Sequence, residues 1–169
     1  MLASVLIVFS GGIAGLVVAN SYATRPEELK NLRCALGMLE TEIGFGLTPL
    51  PEALNRVGRR MGGSVGYFFR EVAAALNDDC GLSAGEAWEK CLGILKEEAF
   101  LSQGDLDILR SFGNTLGVSD RDDQIKHLRL AQEQLSLQEH DAEKLKEGNQ
   151  RMWRTIGFLG GLAVVLILY

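Results

Sequence analysis

The chain is 169 residues long, one domain's worth, and 47% of it is apolar, enough to bury a sizeable core if that content is spread along the sequence. A net charge of -5, with no basic run interleaved with aromatics, excludes a nucleic-acid binder. The three cysteines, Cys34, Cys80 and Cys91, are odd in number and match no zinc or redox spacing. They fit a reducing compartment, as small apolar core residues, better than a disulfide framework.

Charge is not spread evenly. All 17 Lys and Arg and all 22 Asp and Glu lie between Arg25 and Arg154, leaving an uncharged head, a mixed-charge middle and an uncharged tail. The head, MLASVLIVFSGGIAGLVVANSYAT, holds a Leu2 to Ala19 core of about 27 Å as a helix, long enough to span a bilayer. A secretory signal ending at Ser-Tyr-Ala competes, but the basic n-region of such signals is missing, which favours an anchor over 1–23.

Between the ends, a Ser or Thr followed three residues later by an acid marks helix starts at Thr24/Glu27, Ser83/Glu86, Ser102/Asp105 and Ser119/Asp122. Two more starts use Thr48 as a cap with Pro49 at the first helical position, and Ser64 after the Gly62-Gly63 break. Each carries an apolar stripe: Leu29, Leu32, Leu36, Leu39 and Ile43; Leu50, Leu54, Val57 and Met61; Val65, Phe68, Phe69, Val72 and Leu76; Trp88, Cys91, Leu92 and Leu95; Leu106, Leu109, Phe112 and Leu116. The expected fold is all-α: a compact antiparallel bundle of about six helices over 24–151, with a long last helix. That last helix has Ile125, Leu128, Leu135, Ala142, Leu145 and Met152 in heptad-like register, interrupted by Gln132 and Glu139. It is expected to leave the bundle as a solvated stalk rather than form a dimeric coiled coil.

The tail, TIGFLGGLAVVLILY, reaches only about 25 Å even counted from Trp153, against a hydrocarbon core of about 30 Å. Arg151, Trp153 and Arg154 supply an interfacial belt, so 152–169 reads as a spanning or membrane-associated helix, with an interfacial or core helix as the alternative. Basic residues flank both apolar segments on the inner side, Arg25, Lys30 and Arg33 after the first and Lys144, Lys146, Arg151 and Arg154 before the second. The middle is then cytoplasmic and both termini face out. Small residues recur at four-residue spacing, Gly11, Gly15 and Ala19 in the head and Gly157 and Gly161 in the tail. They allow close helix packing in a membrane, within one chain or in a homo-oligomer.

No catalytic set is legible. His127 and His140 sit in the charged last helix with no nucleophile placed against them, and the acid pairs Glu40/Glu42, Asp78/Asp79 and Asp122/Asp123 lack a convergent third ligand. The Gly11-Gly12-Ile13-Ala14-Gly15 run follows no strand, so it is no nucleotide loop. No cofactor, metal or catalytic residue is expected. One surface feature stands out, the compact arginine cluster Arg56, Arg59 and Arg60 off the apolar stripe of its helix, suited to carboxylates or anionic headgroups. The alternative docking face is acidic, around Asp105, Asp107 and Asp120 to Asp123.

The phrases TRPEELKNL (Thr24 to Leu32), LETEIGFGLTPLPEAL (Leu39 to Leu54), LSAGEAW (Leu82 to Trp88) and LSQGDLDILRSFGNTLGVSDRDDQ (Leu101 to Gln124) resemble successive landmarks of the stage III sporulation protein AB family. Its soluble part is similar to the cytoplasmic domains of the F-type platform proteins of type II secretion and type IV pilus machines. The resemblance implies a role in endospore formation, as a mother-cell protein of the outer forespore membrane in the channel, or feeding-tube, apparatus. It also implies a secretion-type ATPase as partner, the family's companion AA protein, alongside other channel components. A small membrane-bound enzyme and a receptor-like signalling bundle are the rival readings.

Overall fold

The computed structural model describes the backbone of residues 2–45, 48–78, 81–118 and 120–168, and the side chains of 24–45, 48–78, 81–118 and 120–148. Among the described residues six helices form: α1 (Leu2–Phe45), α2 (Leu50–Arg60), α3 (Gly63–Asn77), α4 (Ala84–Glu98), α5 (Gln103–Gly113) and α6 (Arg121–Leu168). No strand occurs among the described residues. Each helix packs on the next in chain order, and α6 closes the ring against α1.

The stripes read from the sequence are the core. Leu29, Leu32, Leu36, Leu39, Leu54, Val57, Phe68, Phe69, Trp88, Leu95 and Leu109 are all buried. At the centre, Trp88 takes Phe68, Phe69 and Phe112 edge to face at 4.8, 5.6 and 5.2 Å, the arrangement that the ring quadrupoles favour. Its indole Nε1–H donates to the Leu109 carbonyl at 2.9 Å, so the one polar atom of the ring is satisfied inside the core.

Two helices open alike. In PLPEAL and SAGEAW the Glu is the third helical residue (Glu52, Glu86), followed by a buried Ala (Ala53, Ala87) and a large buried apolar residue (Leu54, Trp88). Glu86 completes a capping box with Ser83, and the hydrogen bond from the Ser83 hydroxyl holds its carboxyl below the ordinary carboxylate range. Glu52 has only Pro49 at the cap, which offers no hydroxyl, and its carboxylate turns to Arg56 at 2.7 Å. The second capping box, Ser102 with Asp105, also forms.

Several expectations are corrected. Thr24 and Glu27 do not start a helix, because α1 runs through them with Pro26 inside. Helix α2 begins at Leu50 with Pro49 as its cap rather than Thr48. Helix α3 begins at Gly63, and Ser64 instead donates to Glu28 of α1 at 3.1 Å. The amide of Asp123 is capped by the Asp120 carboxylate at 2.8 Å, just before α6 begins at Arg121; the expected cap Ser119 lies outside the described residues. Cys91 is buried as expected, but Cys34 is exposed; Cys80 lies outside the described residues.

The largest correction concerns α6. It does not leave the bundle as a stalk: Leu128, Ala131, Leu135 and Ala142 are buried along α1. The two helices are antiparallel, since Arg121 donates to the carbonyls of Ile43 and Gly44, Arg129 and Gln132 to Glu40 at 2.7 and 2.9 Å, and Arg25 to Gln138 at 3.0 Å. Gln132 and Glu139, which break the heptad in the sequence, face polar partners across the seam, Glu139 accepting from Arg33. Leu145 is exposed.

Among the described residues no helix is long and apolar enough to cross a membrane. The expected segments 1–23 and 152–169, with Gly11, Gly15, Ala19, Gly157 and Gly161, lie outside the residues whose side chains are described.

Candidate partner-binding surface

The arginine cluster is set by how α2 lies on α3. Gly58 and Gly66 let the two backbones meet: a methyl group on Gly66 would sit 2.2 Å from the Met61 carbonyl oxygen, and one on Gly58 would sit 2.9 Å from that of Gly66. Only residues without a Cβ permit that approach. With Ala53, Leu54, Val57 and Gly58 buried, the opposite edge of α2 carries Arg56, Arg59 and Arg60, all exposed. Arg70 of α3 donates to the Gly58 carbonyl at 2.7 Å and lies 6.0 Å from the Tyr67 ring centroid.

Two of the three arginines are already engaged. Arg56 binds Glu52 at 2.7 Å and Glu42 at 3.3 Å, and Arg60 approaches the same Glu42 at 3.9 Å. The hydrogen bond to Glu52, then its charge, raises the Arg56 guanidinium further above its ordinary range. Sequence reasoning missed Glu42, which α1 supplies, because nothing in local spacing joins a residue of one helix to the arginines of the next. Arg59 is exposed and belongs to none of the ion pairs of the described residues. The cluster therefore offers a partner Arg59 outright and Arg60 at the cost of one long contact.

The acidic alternative does not assemble. Asp105 is fully buried, with its carboxylate held by Arg25 at 2.9 Å through both Nε and Nη2 and by the Ser102 amide at 2.8 Å. Asp107 is exposed but bonded to Gln103 at 2.9 Å and Arg110 at 2.7 Å. Asp120 caps α6, and Asp123 binds Lys126 at 2.8 Å. The start of α5 faces Gln138, whereas the start of α6 faces the C-terminal end of α1, so Asp105 and Asp107 lie at the other end of the bundle from Asp120 to Asp123.

His127 and His140 are exposed, and among the described residues no three His, Cys, Asp or Glu side chains converge as metal ligands would. A shallow groove between α4 and α5 is lined by Glu89, Lys90, Lys96, Gln103 and Arg110 among others. Arg110 there is tied to Glu89 at 2.9 Å and to Asp107, which leaves mixed and largely self-neutralised charge. Cys91 sits in the core, where burial pushes its thiol above the ordinary range, away from the reactive thiolate form.

Comparison with known proteins is consistent along the chain. The family model described as stage III sporulation protein AB matches residues 1–169. A stage III sporulation protein AB from Bacillus subtilis (strain 168) is 36% identical over 168 residues, covering 99% of this chain and 98% of that protein. A solved structure of stage III sporulation protein AB superimposes with a TM-score of 0.68 at 34% identity, covering 74% of this chain and 98% of that one.

Proposed function

The chain belongs to the stage III sporulation protein AB family, and we propose that it is a non-enzymatic, membrane-anchored component of the mother cell-to-forespore channel whose helical domain docks a secretion-type ATPase. The bundle stands in the mother-cell cytoplasm, held at the outer forespore membrane by helices at both ends of the chain. The observation that carries this reading is the antiparallel α1/α6 pair. Arg25 meets Gln138 at one end and Arg121 meets Ile43 at the other, so the described parts of α1 and α6 leave the bundle at the same end, toward the uncharged head and tail. Two anchors entering one membrane side by side need that geometry, and the opposite end of the bundle is left for a partner. The arginine edge of α2 supports a docking role, because guanidinium groups suit carboxylate-rich partners.

Cysteine labelling tests the topology with two native reporters. Exposed Cys34 should react with a membrane-impermeant maleimide only after sporulating cells are permeabilised, and buried Cys91 only after denaturation. Labelling of Cys34 in intact cells would reverse the orientation. Photocrosslinking from position 59 in sporulating cells should capture an ATPase of the secretion type; capture of none from any face of the bundle would remove the docking role.

A further inference from the structure

Among the described residues, the end of the bundle from which α1 and α6 leave holds one buried carboxylate, Asp105, and a fully buried group offers no docking face. Asp105 is 0% exposed, and the side chain of Arg25 only 17%. The Arg25 guanidinium donates twice to Asp105 at 2.9 Å, once to the Ser102 hydroxyl at 3.0 Å and once to Gln138 Oε1 at 3.0 Å. One side chain of α1 is thereby fastened to α5 and α6 together. Replacing a buried ion pair of this kind by apolar groups is often neutral for stability, so its presence calls for an account beyond stability.

Pro26 is buried inside α1, where it removes one backbone hydrogen bond and its ring crowds the carbonyl four residues back, the usual cause of a helix kink. Arg25 is also the first charged residue after 24 uncharged ones. The helix is therefore weakest at the junction between the head and the bundle, and the side chain beside the weak point makes four hydrogen bonds to two neighbouring helices. We infer that Pro26 is a joint in α1 and that the Arg25–Asp105–Ser102–Gln138 clasp locks it, fixing the direction in which the head leaves the bundle. Arg25 and Asp105 are positioning residues in this scheme. Neither a membrane around the head nor an ATPase is needed for the joint or its lock to exist.

The lever is long enough to measure. From Ser10 to Pro26 is about 24 Å of helix, so a bend of about 20° moves position 10 sideways by about 8 Å. The full chain in detergent, with Cys34→Ser, Cys80→Ala and Cys91→Ala, is spin-labelled at Ser10→Cys and at the exposed Lys96→Cys of α4. Electron–electron distances should be narrowly distributed in this parent. Arg25→Met with Asp105→Asn removes the charges and leaves an acceptor for the Ser102 amide; the distribution should broaden or shift by roughly 8 Å for such a bend while the helical content stays the same. Adding Pro26→Ala to that variant should narrow it again. A distribution unchanged in Arg25→Met/Asp105→Asn overturns the lock, and a broad one that persists after Pro26→Ala overturns the joint. Should the double variant lose helicity, Gln138→Ala alone, which cuts one of the four bonds at a half-buried site, is read for a smaller broadening in the same direction; an unchanged distribution there also overturns the lock.

Discussion

Gly113 is the position where the packing of the core is most open to test. It ends α5 against the face of Trp88, and a methyl group added there would lie 2.2 Å from Trp88 Cδ1, 2.8 Å from Cγ and 2.9 Å from Nε1. Ordinary carbon contacts are about 3.5–4.0 Å, so either the ring or the helix has to move by more than about 1 Å. The ring has nowhere to go, since three aromatic neighbours surround it and its Nε1–H is committed to Leu109. Overpacking of a dense core costs about 1–3 kcal/mol, and this rigid site belongs at the upper end of that range. Alanine recovers up to about 1 kcal/mol of helix propensity at most, leaving a net loss of about 2 kcal/mol. For a domain of this size that lowers the melting temperature by roughly 5–10 °C. Gly93 is the control, because it sits exposed inside α4 and a methyl group added there would meet nothing within 4 Å, and Gly93→Ala should raise stability by about 0.5–1 kcal/mol. Thermal and urea unfolding of both variants, followed by far-ultraviolet circular dichroism, gives the comparison. A Gly113→Ala protein that melts with the parent would refute the account of the aromatic centre.

Glu40 supplies a pH dependence. Partial burial pushes its carboxyl upward, but hydrogen bonds from Arg129 and Gln132 and the Arg129 charge outweigh that and hold it below the ordinary carboxylate range. A group whose folded value is lowered contributes stability above its unfolded value and loses it as pH falls through the folded one. Glu40→Gln should therefore be less stable than the parent near neutrality and converge with it in acid, checked by urea midpoints across pH; parallel curves would deny Glu40 a role in the α1/α6 seam. On the proposed docking edge of α2, if it binds an ATPase as proposed, Arg59→Glu with Arg60→Glu should leave helical content and melting temperature nearly unchanged and weaken ATPase association several-fold in a salt-sensitive way, since rim charges act mainly through screened electrostatics. Unaltered binding at low salt would move the search to another face.

Much of the bundle was legible because its signals are local. The Ser83 and Ser102 boxes and the stripes through Leu54, Phe68, Trp88 and Leu109 rest on contacts three or four residues apart, and the structure places them as read. Thr24 followed by Glu27 looks the same whether a helix begins there or passes through, so the continuity of α1 was hidden. Asp105 reads as a surface cap from its own helix. Its burial is decided by Arg25, 80 residues earlier. Of the docking candidates, Arg56, Arg59 and Arg60 share an edge as their spacing within one helix implied, but that Glu42 occupies two of them depends on how α1 crosses α2.

Helix α6 concealed its place in the bundle for the same reason, and its polar residues show what the seam requires. Gln132 and Glu139 interrupt the heptad and suggested a solvated stalk, yet each meets a partner on α1, Glu40 and Arg33, 92 and 106 residues away. A purely apolar seam of Leu and Ala would tolerate sliding by a turn, because each register buries similar area. Polar side chains fixed at three heights, by Arg121, by Glu40 and by Arg25, favour one register, since a slip of one turn breaks all three contacts and strands the part-buried donors and acceptors of the Gln132–Glu40 and Arg25–Gln138 pairs. Register sets how far each helix projects from the end of the bundle. On the proposed two-anchor reading, that relative height is what the seam must hold constant, and the polar interruptions are how the sequence specifies it.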